Sequence, residues 1–154
     1  MSAISSLLQS IPLLGGLTEH QLTAVSSIAE RLSLTAGQEL IKIDAHADGA
    51  YFLIDGEVEC LSQIDGEPSV TRVPSGAVLL ELAMIVEIDA SATCVVRAPA
   101  KALKIPRQAM HELMQNDVSL TEAILERLTR RLADMADAMR EASEPFEVQE
   151  LKAG

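Results

Sequence analysis

Aromatic residues are scarce in this chain of 154 residues: they make up 2%, with no Trp, one Tyr and two Phe. A hydrophobic core must therefore be filled by Leu, Ile, Val, Met and Ala. Such residues are plentiful, because hydrophobic types account for 48% of the chain. The length suits one compact core and is too short for two independent ones, so we expect residues 1–154 to form a single domain.

Positive charge is also scarce, with 12 Lys and Arg against 23 Asp and Glu and a net charge of -11. Affinity for a nucleic-acid backbone comes mainly from Lys and Arg that displace counterions, so we predict no nucleic-acid partner. One basic cluster stands out, formed by Arg127, Arg130 and Arg131. These residues alternate with Glu126 and Asp134 at helical spacing, which predicts ordinary surface ion pairs.

Long apolar runs are missing, and none approaches the roughly 20 residues that a membrane-spanning helix needs. The N-terminus lacks the charged start and long apolar stretch of an export signal. The two cysteines, Cys60 and Cys94, lie in strand-like apolar runs without metal or redox spacing. We therefore expect a cytoplasmic protein without a membrane partner, in which both cysteines are buried thiols and form no disulfide.

Catalytic and metal-binding patterns are absent too. His20, His46 and His111 lie far apart without metal-ligand spacing. No G-x-S-x-G nucleophile motif occurs in the sequence. We predict no enzymatic activity, no catalytic residues and no metal site.

The first 36 residues have helical patterns. Residues 4–17 read ISSLLQSIPLLGGL, in which Pro12 and the glycines at 15 and 16 limit a short helix and turn. Thr18 then precedes Gln21 by three residues, as in a capping box. A second helix is predicted from apolar residues at helical spacing: Leu22, Val25, Ile28, Ala29 and Leu32.

Residues 37–106 change to the pattern of strands. Asp65-Gly66 is a hairpin signal, and an apolar run ends at Asp55-Gly56. Predicted strands lie at 50–54, 57–62, 69–73, 92–98 and 100–105. Many short strands separated by turn residues predict a double-sheet, jelly-roll-like β-roll, which shields its edges by wrapping.

Three blocks together resemble the cyclic nucleotide-binding domain family across about residues 8 to 140. The first is Gly37, the second is YFLIDGEV at 51–58, and the third is GAVLLELAMIVEIDASAT at 76–93. The resemblance implies a mainly β fold of the cyclic nucleotide-binding type, flanked by helices, with a C-terminal dimerisation helix. It also implies that the third block is the phosphate-binding cassette.

The cassette departs from the family pattern at two positions, since Leu80 stands where the family has glycine and Ala90 where it has arginine. The positions equivalent to the ligand-binding cassette are Leu80, Glu81, Leu82, Ala83, Ala90, Ser91 and Ala92. A guanidinium grips two phosphate oxygens at once, and glycine lets backbone N–H groups approach the anion. Losing one charge-assisted contact costs roughly 1.5 to 3 kcal/mol, or about ten- to a hundredfold in affinity.

These replacements predict a regulatory or interaction module that does not bind cyclic AMP in the usual way and has no other cofactor. Glu81 has two interpretations: the resemblance implies a bond to the ribose 2′-hydroxyl, whereas a carboxylate beside a helical turn can simply stabilise that turn. A rival hypothesis keeps nucleotide sensing and uses Arg72 or Arg97 as a displaced phosphate partner. A third is an apolar cavity near Leu80 and Met84 that takes a different small molecule.

Residues 107–143 are predicted to be helical, followed by an acidic tail at 144–154. A heptad seam is formed by Val118, Thr121, Leu125, Leu128, Leu132, Met135, Met139 and Ala142. We predict parallel homodimerisation along Leu125, Leu128, Leu132, Met135 and Met139, as in the catabolite activator family. The alternative is a lid over a monomer. A protein partner is also possible, and we expect a module without the helix-turn-helix of that family's transcription factors.

Overall fold

The computed structural model describes the backbone of residues 2–153 and the side chains of residues 2–141. Strands form the middle of the chain, and helices stand at both ends. This arrangement confirms the predicted mainly β fold with flanking helices. The strands are β1 (Glu30–Leu34), β2 (Glu39–Ile41), β3 (His46–Ala47), β4 (Gly49–Ile64), β5 (Glu67–Val73), β6 (Val78–Leu79), β7 (Ile88–Asp89) and β8 (Thr93–Pro106).

The N-terminal segment contains α1 (Ala3–Leu8), a first 3₁₀ helix (Pro12–Leu14) and α2 (Glu19–Ile28). The predicted capping box is confirmed. Thr18 Oγ1 accepts a hydrogen bond from the Gln21 N–H at 3.1 Å, and Gln21 Oε1 accepts one from the Thr18 N–H at 2.9 Å. The prediction that this helix reaches Leu32 is wrong, because residues 30–34 pair as β1 with β8.

The larger sheet has the order β1-β8-β4-β5, with β2 also paired to β8 and β6 to β4, while β3 and β7 form a second sheet. The hairpin between β4 and β5 is confirmed: Asp65 and Gly66 have φ of 54° and 80°, as a type I′ turn requires. The prediction that this strand ends at Asp55-Gly56 is wrong. β4 continues through register shifts at these residues, and position 56 requires glycine because a Cβ there would lie 2.5 Å from the Ala100 backbone.

Two clusters of buried side chains form the core. One joins the helices to the outer surface of the roll, and it includes Leu14, Leu22, Met84, Leu120 and Ile124. The other fills the interior of the roll, and it includes Leu53, Val58, Val73, Ala90 and Val96. The first cluster therefore anchors the C-terminal helix beside the cassette, next to Met84.

The C-terminal helices are α3 (Arg107–Gln115) and α4 (Val118–Ala153). α4 begins at a capping aspartate, since Asp117 Oδ1 accepts a hydrogen bond from the Leu120 N–H at 3.1 Å. Its helical backbone continues to Ala153, through residues 144–153 of the segment expected to be an acidic tail. The side chains of that segment, and that of Ala142 in the predicted seam, lie outside the described residues. Within the described part of the chain, no helix is long and apolar enough to cross a membrane.

Candidate functional site

The cassette borders two small cavities at the mouth of the roll. One has a volume of about 160 Å³ and is lined by Ile41, Cys60, Leu79, Leu80, Ala90, Ser91, Ala92 and Cys94. The other has about 110 Å³ and lies between the β2–β3 loop, Tyr51 and the cassette. Ile41, Leu80 and Ala90 line both cavities. The two cassette positions that depart from the family pattern therefore lie together at the candidate site.

Leu80 adopts the left-handed conformation, with φ 55° and ψ 45°. It immediately precedes a second 3₁₀ helix, Glu81–Met84. The backbone here keeps the shape that favours glycine, although leucine occupies the position. For an L-residue with a Cβ this conformation costs roughly 1–2 kcal/mol. The half-buried Leu80 side chain packs against the core inside the roll, which offsets part of that cost.

Glu81 is buried, with 6% of its surface exposed. Its Oε2 accepts a hydrogen bond from the Leu13 N–H at 2.9 Å, and its Oε1 forms an ion pair with the Arg131 guanidinium on α4. Oε1 has no partner with hydrogen-bond geometry, so the charge of Arg131 compensates it instead. Glu81 thus connects the cassette, the first 3₁₀ helix and α4. It does not line either of the two cavities.

The second half of the cassette is fixed through its backbone. Ala90 is 3% exposed, and it exchanges backbone hydrogen bonds with the β2–β3 loop: its N–H donates to Ala45 O at 3.0 Å, and its carbonyl accepts from Asp44 N at 2.8 Å. Ser91 is exposed and Ala92 is half-buried. Leu82 and Ala83 lie in the second 3₁₀ helix, with Leu82 half-buried and Ala83 fully buried.

Arg72 and Arg97, the two candidate displaced phosphate partners, lie on β5 and β8 beside buried Val73 and Val96. Side chains alternate between the two faces of a strand, so both arginines lie on the outer face of the roll. Arg72 is 3.9 Å from a Glu57 carboxylate oxygen, and Arg97 Nε is 3.8 Å from one of Glu59. The structure does not bring either arginine together with Leu80 and Ala90, and neither is among the residues that line the two cavities.

Cys60 and Cys94 form a disulfide, so the expectation of two buried thiols is wrong. The residues are direct partners in the β4–β8 register, with their Cα atoms 4.1 Å apart. They are separated by 34 residues along the chain, so this register could not be read from their spacing. The disulfide forms part of the wall of the larger cavity.

Two cations near the site were missed by sequence reasoning. Lys42 is exposed and lines the smaller cavity. Arg131 had been interpreted as part of a surface ion-pair cluster, whereas it pairs with Glu81. Of that cluster, the Arg130–Glu126 pair does form, at 2.8 Å. Arg131 lies one helical turn after Arg127 on the side of α4 that faces the body, and this position could have indicated a contact with the rest of the fold. No sequence pattern identifies Glu81 as its partner.

Within the described residues, no group of three or more His, Cys, Asp or Glu side chains is placed to hold a metal ion. His46 Nδ1 lies 2.5 Å from an Asp89 carboxylate oxygen, and both side chains are largely exposed. His111 Nε2 lies 2.5 Å from the Ile85 carbonyl oxygen. These contacts join neighbouring elements of the fold.

The site thus combines a β-roll, cavities beside the second 3₁₀ helix, and a long helix that packs on the first 3₁₀ helix and reaches the second through the Glu81–Arg131 ion pair. Residues 31–117, more than half of the chain, match the family described as cyclic nucleotide-binding domain. The chain belongs to that family, as the resemblance in its sequence predicted. Domains of this family are regulatory and not catalytic.

Solved structures share the fold. The N-terminal domain of a transcriptional regulator from Streptomyces coelicolor A3(2) aligns with a TM-score of 0.78 and 21% identity, covering 86% of this chain and 94% of that one. A cyclic nucleotide-binding-like protein from Brucella abortus aligns with a TM-score of 0.66 and 26% identity, over 74% and 99% of the two chains. The regulatory domain of Toxoplasma gondii PKA with cAMP gives a TM-score of 0.64 and 23% identity, over 71% and 42%. No curated protein matches the chain significantly.

Proposed function

We propose that this chain is a regulatory module of the cyclic nucleotide-binding family whose cavity does not take cyclic AMP in the usual way. The observation that carries the proposal is Ala90, a buried methyl group at the position where the family's arginine grips the phosphate. A cyclic phosphate buried there would lack a fixed cation, and an unpaired buried charge is strongly unfavourable. The N–H of Ala90 already donates to Ala45 O, so it is not free to compensate.

The dimensions of the site support the same proposal. The two cavities have about 160 and 110 Å³. Pockets for drug-sized ligands generally have about 300–1,000 Å³. Leu80 lines both cavities, so its side chain occupies space that glycine would leave open. In addition, Glu81 would have to leave the Leu13 N–H and Arg131 before it accepted a bond from a ribose hydroxyl.

Titration calorimetry with cyclic AMP and cyclic GMP tests the proposal. We expect no binding in the micromolar range for the wild-type chain, and a dissociation constant near that range for either nucleotide would overturn the proposal. The double variant Leu80→Gly/Ala90→Arg restores the family pattern and should gain affinity for cyclic AMP of about ten- to a hundredfold. The matched control, Leu80→Gly/Ala90→Gln, opens the same space without a cation and should gain much less.

A genuine cyclic-nucleotide sensor with a displaced phosphate partner is the second candidate function, and the observation that favours it is a cation at the cavity. Lys42 is exposed and lines the smaller cavity. Arg72 and Arg97 remain the partners proposed from sequence. If the wild type does bind a nucleotide, Lys42→Gln, Arg72→Gln and Arg97→Gln will identify which cation serves, because only that variant should lose the signal.

Another small molecule is a further candidate ligand. The larger cavity is bordered mainly by aliphatic side chains, the disulfide and the methyl groups of Ala90 and Ala92. Such a lining suits a small apolar group. Mass spectrometry of the purified chain under native conditions would detect a retained passenger, and removal by unfolding and refolding would show whether it stabilises the fold.

The module is proposed to act as a homodimer, with a second copy of the chain on the α4 seam and without nucleic acid. The disulfide removes one ground for the expected cytoplasmic location, because disulfides are rare in reducing compartments. Five seam residues expose roughly half or more of their surface: Val118 70%, Leu125 48%, Leu132 52%, Met135 48% and Met139 72%. Heptad spacing of such residues favours pairing with an identical helix. A different protein partner on the same seam is the alternative, and the oligomeric state in solution distinguishes the two.

A further inference from the structure

A second cleft lies between the first 3₁₀ helix and α4, on the other side of Glu81 from the cavities described above. We name it the arginine cleft. Its volume is about 330 Å³, and Gly15, Gly16, Arg127, Arg130, Arg131 and Asp134 border it. That volume is within the range of small-molecule sites. The cleft brings three guanidinium groups together with Asp134, and the carboxylates of Glu126 and Glu81 pair with two of the three.

Arg127 is the fixed cation of this cleft. Its Nε donates to Gly15 O at 2.6 Å, and its Nη1 donates to Ala123 O at 2.9 Å. Among residues 2–141, whose side chains are described, no carboxylate forms an ion pair with it. Its charge is therefore offset only by carbonyl dipoles, while two hydrogen bonds hold the half-buried guanidinium in one orientation. A preorganised guanidinium loses little entropy when it binds a planar or tetrahedral oxyanion.

Gly16 makes room for the guanidinium of Arg127. Gly16 has a φ of +84°, and a Cβ on it would lie 2.7 Å from Arg127 Nη2, so the guanidinium occupies the space that a side chain at position 16 would take. Within the described residues Nη2 donates no hydrogen bond, whereas Nε and Nη1 donate to backbone carbonyls. The N–H groups of Nη2 are therefore the Arg127 donors left for a ligand in the cleft, which Gly16 and Arg127 both border.

Arg130 and Arg131 complete the cluster one turn further along α4. Arg130 pairs with Glu126, and Arg131 pairs with Glu81. A guanidinium has five N–H donors, so one carboxylate leaves donors for a second acceptor. Both residues can therefore contribute to an oxyanion held by Arg127.

The cluster does not overlap the predicted dimer seam. At about 100° per residue, Arg127 and Arg130 lie at least about 80° around the helix from every seam residue between positions 125 and 139, whereas Arg131 lies about 40° from Met135. Pairing of two α4 helices through the seam therefore leaves Arg127 and Arg130 accessible and places Arg131 near the edge of the interface. A ligand in the cleft would contact both α4 and the N-terminal loop at Gly15–Gly16.

We propose that the arginine cleft binds a small phosphate-type oxyanion, either inorganic phosphate or the phosphate group of a monoester. Guanidinium groups suit the oxygens of such a group, and the donors that would contact them are Nη2 of Arg127 and the remaining N–H groups of Arg130 and Arg131. This site is separate from the nucleotide cassette, because no residue borders both the arginine cleft and either cassette cavity. It does not depend on the proposed function of the cassette.

Titration calorimetry on the full chain, with inorganic phosphate and with glycerol 3-phosphate at a constant ionic strength of about 0.15 M, tests the proposal. We expect saturable binding with a dissociation constant of about 1 mM or tighter for at least one of them. Tighter binding of the ester identifies a phosphate monoester as the ligand, and equal binding identifies the inorganic ion. Absence of saturable binding of both would overturn the proposal.

Variants then locate the site. Arg127→Gln should weaken binding about ten- to a hundredfold, and Arg130→Gln should weaken it less, because its guanidinium is more exposed. The matched control is Arg31→Gln, which removes the same charge from an exposed position on β1. If Arg127→Gln does not fold, Arg130→Gln carries the test. Equal affinity in the wild type and the cleft variants, or an equal loss in Arg31→Gln, would refute the assignment.

Discussion

Glu81 places a buried negative charge between three segments that are far apart in sequence. Its carboxylate accepts from Leu13 N–H and pairs with Arg131, while its own backbone belongs to the cassette. A buried carboxylate is tolerated only when hydrogen bonds and a cation compensate its lost hydration. The position of α4 relative to the cassette therefore depends on the hydrogen bond and the ion pair of the Glu81 side chain.

Removal of Arg131 should therefore destabilise the fold. We expect Arg131→Gln to lower the free energy of unfolding by about 1–3 kcal/mol, because Glu81 keeps its charge and loses its cation. The full cost of a broken buried pair does not apply, since 38% of the Arg131 side chain is exposed. Urea denaturation at neutral pH measures the change.

The matched control for that experiment is Arg130→Gln, which breaks an exposed pair one residue away and should cost less than about 1 kcal/mol. A second test uses Glu81→Gln in the Arg131→Gln background. The neutral amide keeps an oxygen for the Leu13 N–H and needs no cation, so the double variant should be more stable than Arg131→Gln alone. Equal stability of the Arg130 and Arg131 variants would contradict the assigned role of Arg131.

At this scale, sequence reasoning identified the unusual residues and missed their partners. Leu80 and Ala90 stood out because a motif gives an expectation for those positions. The structure adds that Leu80 keeps a positive φ, which the amino-acid sequence alone does not show. The pairing of Glu81 with Arg131 spans two elements whose docking depends on the core around Leu120 and Ile124. No local pattern encodes that docking.

The N-terminus of α4 is stabilised by a charged cap. Asp117 Oδ1 accepts from the Leu120 N–H at 3.1 Å and from the Ser119 hydroxyl at 2.8 Å, and these bonds lower the pKa of Asp117 below its usual value. A carboxyl whose pKa is lowered in the folded state stabilises the fold at pH values above the pKa that the same group has in the unfolded chain. That contribution is lost as the pH falls through the folded-state pKa.

Comparison of the wild type with Asp117→Asn isolates this titration, because asparagine is also a good N-cap and carries no charge. We expect the stability advantage of the wild type to be present at pH 7 and to disappear as the pH falls below about 4. Urea denaturation of both proteins over this range gives the difference, in which the other carboxyl groups cancel. A difference that does not change with pH would show that the charge of Asp117 contributes nothing.

The disulfide between β4 and β8 should contribute to the stability of the roll. It closes a loop between residues 34 apart in sequence. The chain-entropy relation gives roughly 3–4 kcal/mol for a loop of that length. We expect the melting temperature of the wild type to fall when a dithiol reductant is added, whereas the melting temperature of Cys60→Ala/Cys94→Ala should not respond. A wild-type melting curve that ignores the reductant would rule out this contribution.

The elements themselves differ in how far the sequence predicts them. The capping box at Thr18 and the hairpin turn at Asp65-Gly66 were predicted correctly, because each depends on residues within four positions of each other. The end of α2 was not, since Leu32 continues the helical spacing and yet lies in β1 opposite Ala102. Non-local strand pairing outweighed the local pattern there. The same cause joined two predicted strands into the single strand β8.

For the molecule as a whole, the long C-terminal helix α4 has a face buried against the body and an exposed apolar row. Leu120 and Ile124 are fully buried against the body, and Leu128 is half-buried beside them. Farther along, Leu132, Met135 and Met139 are exposed. An exposed apolar row on a soluble surface generally marks an interaction site. Because these residues keep the heptad spacing, a second α4 is the partner that we propose for this row.

A single charge in that row should disrupt the dimer. We expect the wild type to be dimeric by light scattering after size-exclusion chromatography, and Leu132→Glu to weaken the dimer about a hundredfold or more, because two unpaired carboxylates would be buried together. The matched control is Ala133→Glu, which adds the same charge about a third of a turn around the helix from the seam. A monomeric wild type would favour the lid interpretation of α4, and equal effects of the two variants would mean that net charge, and not the seam, controls association.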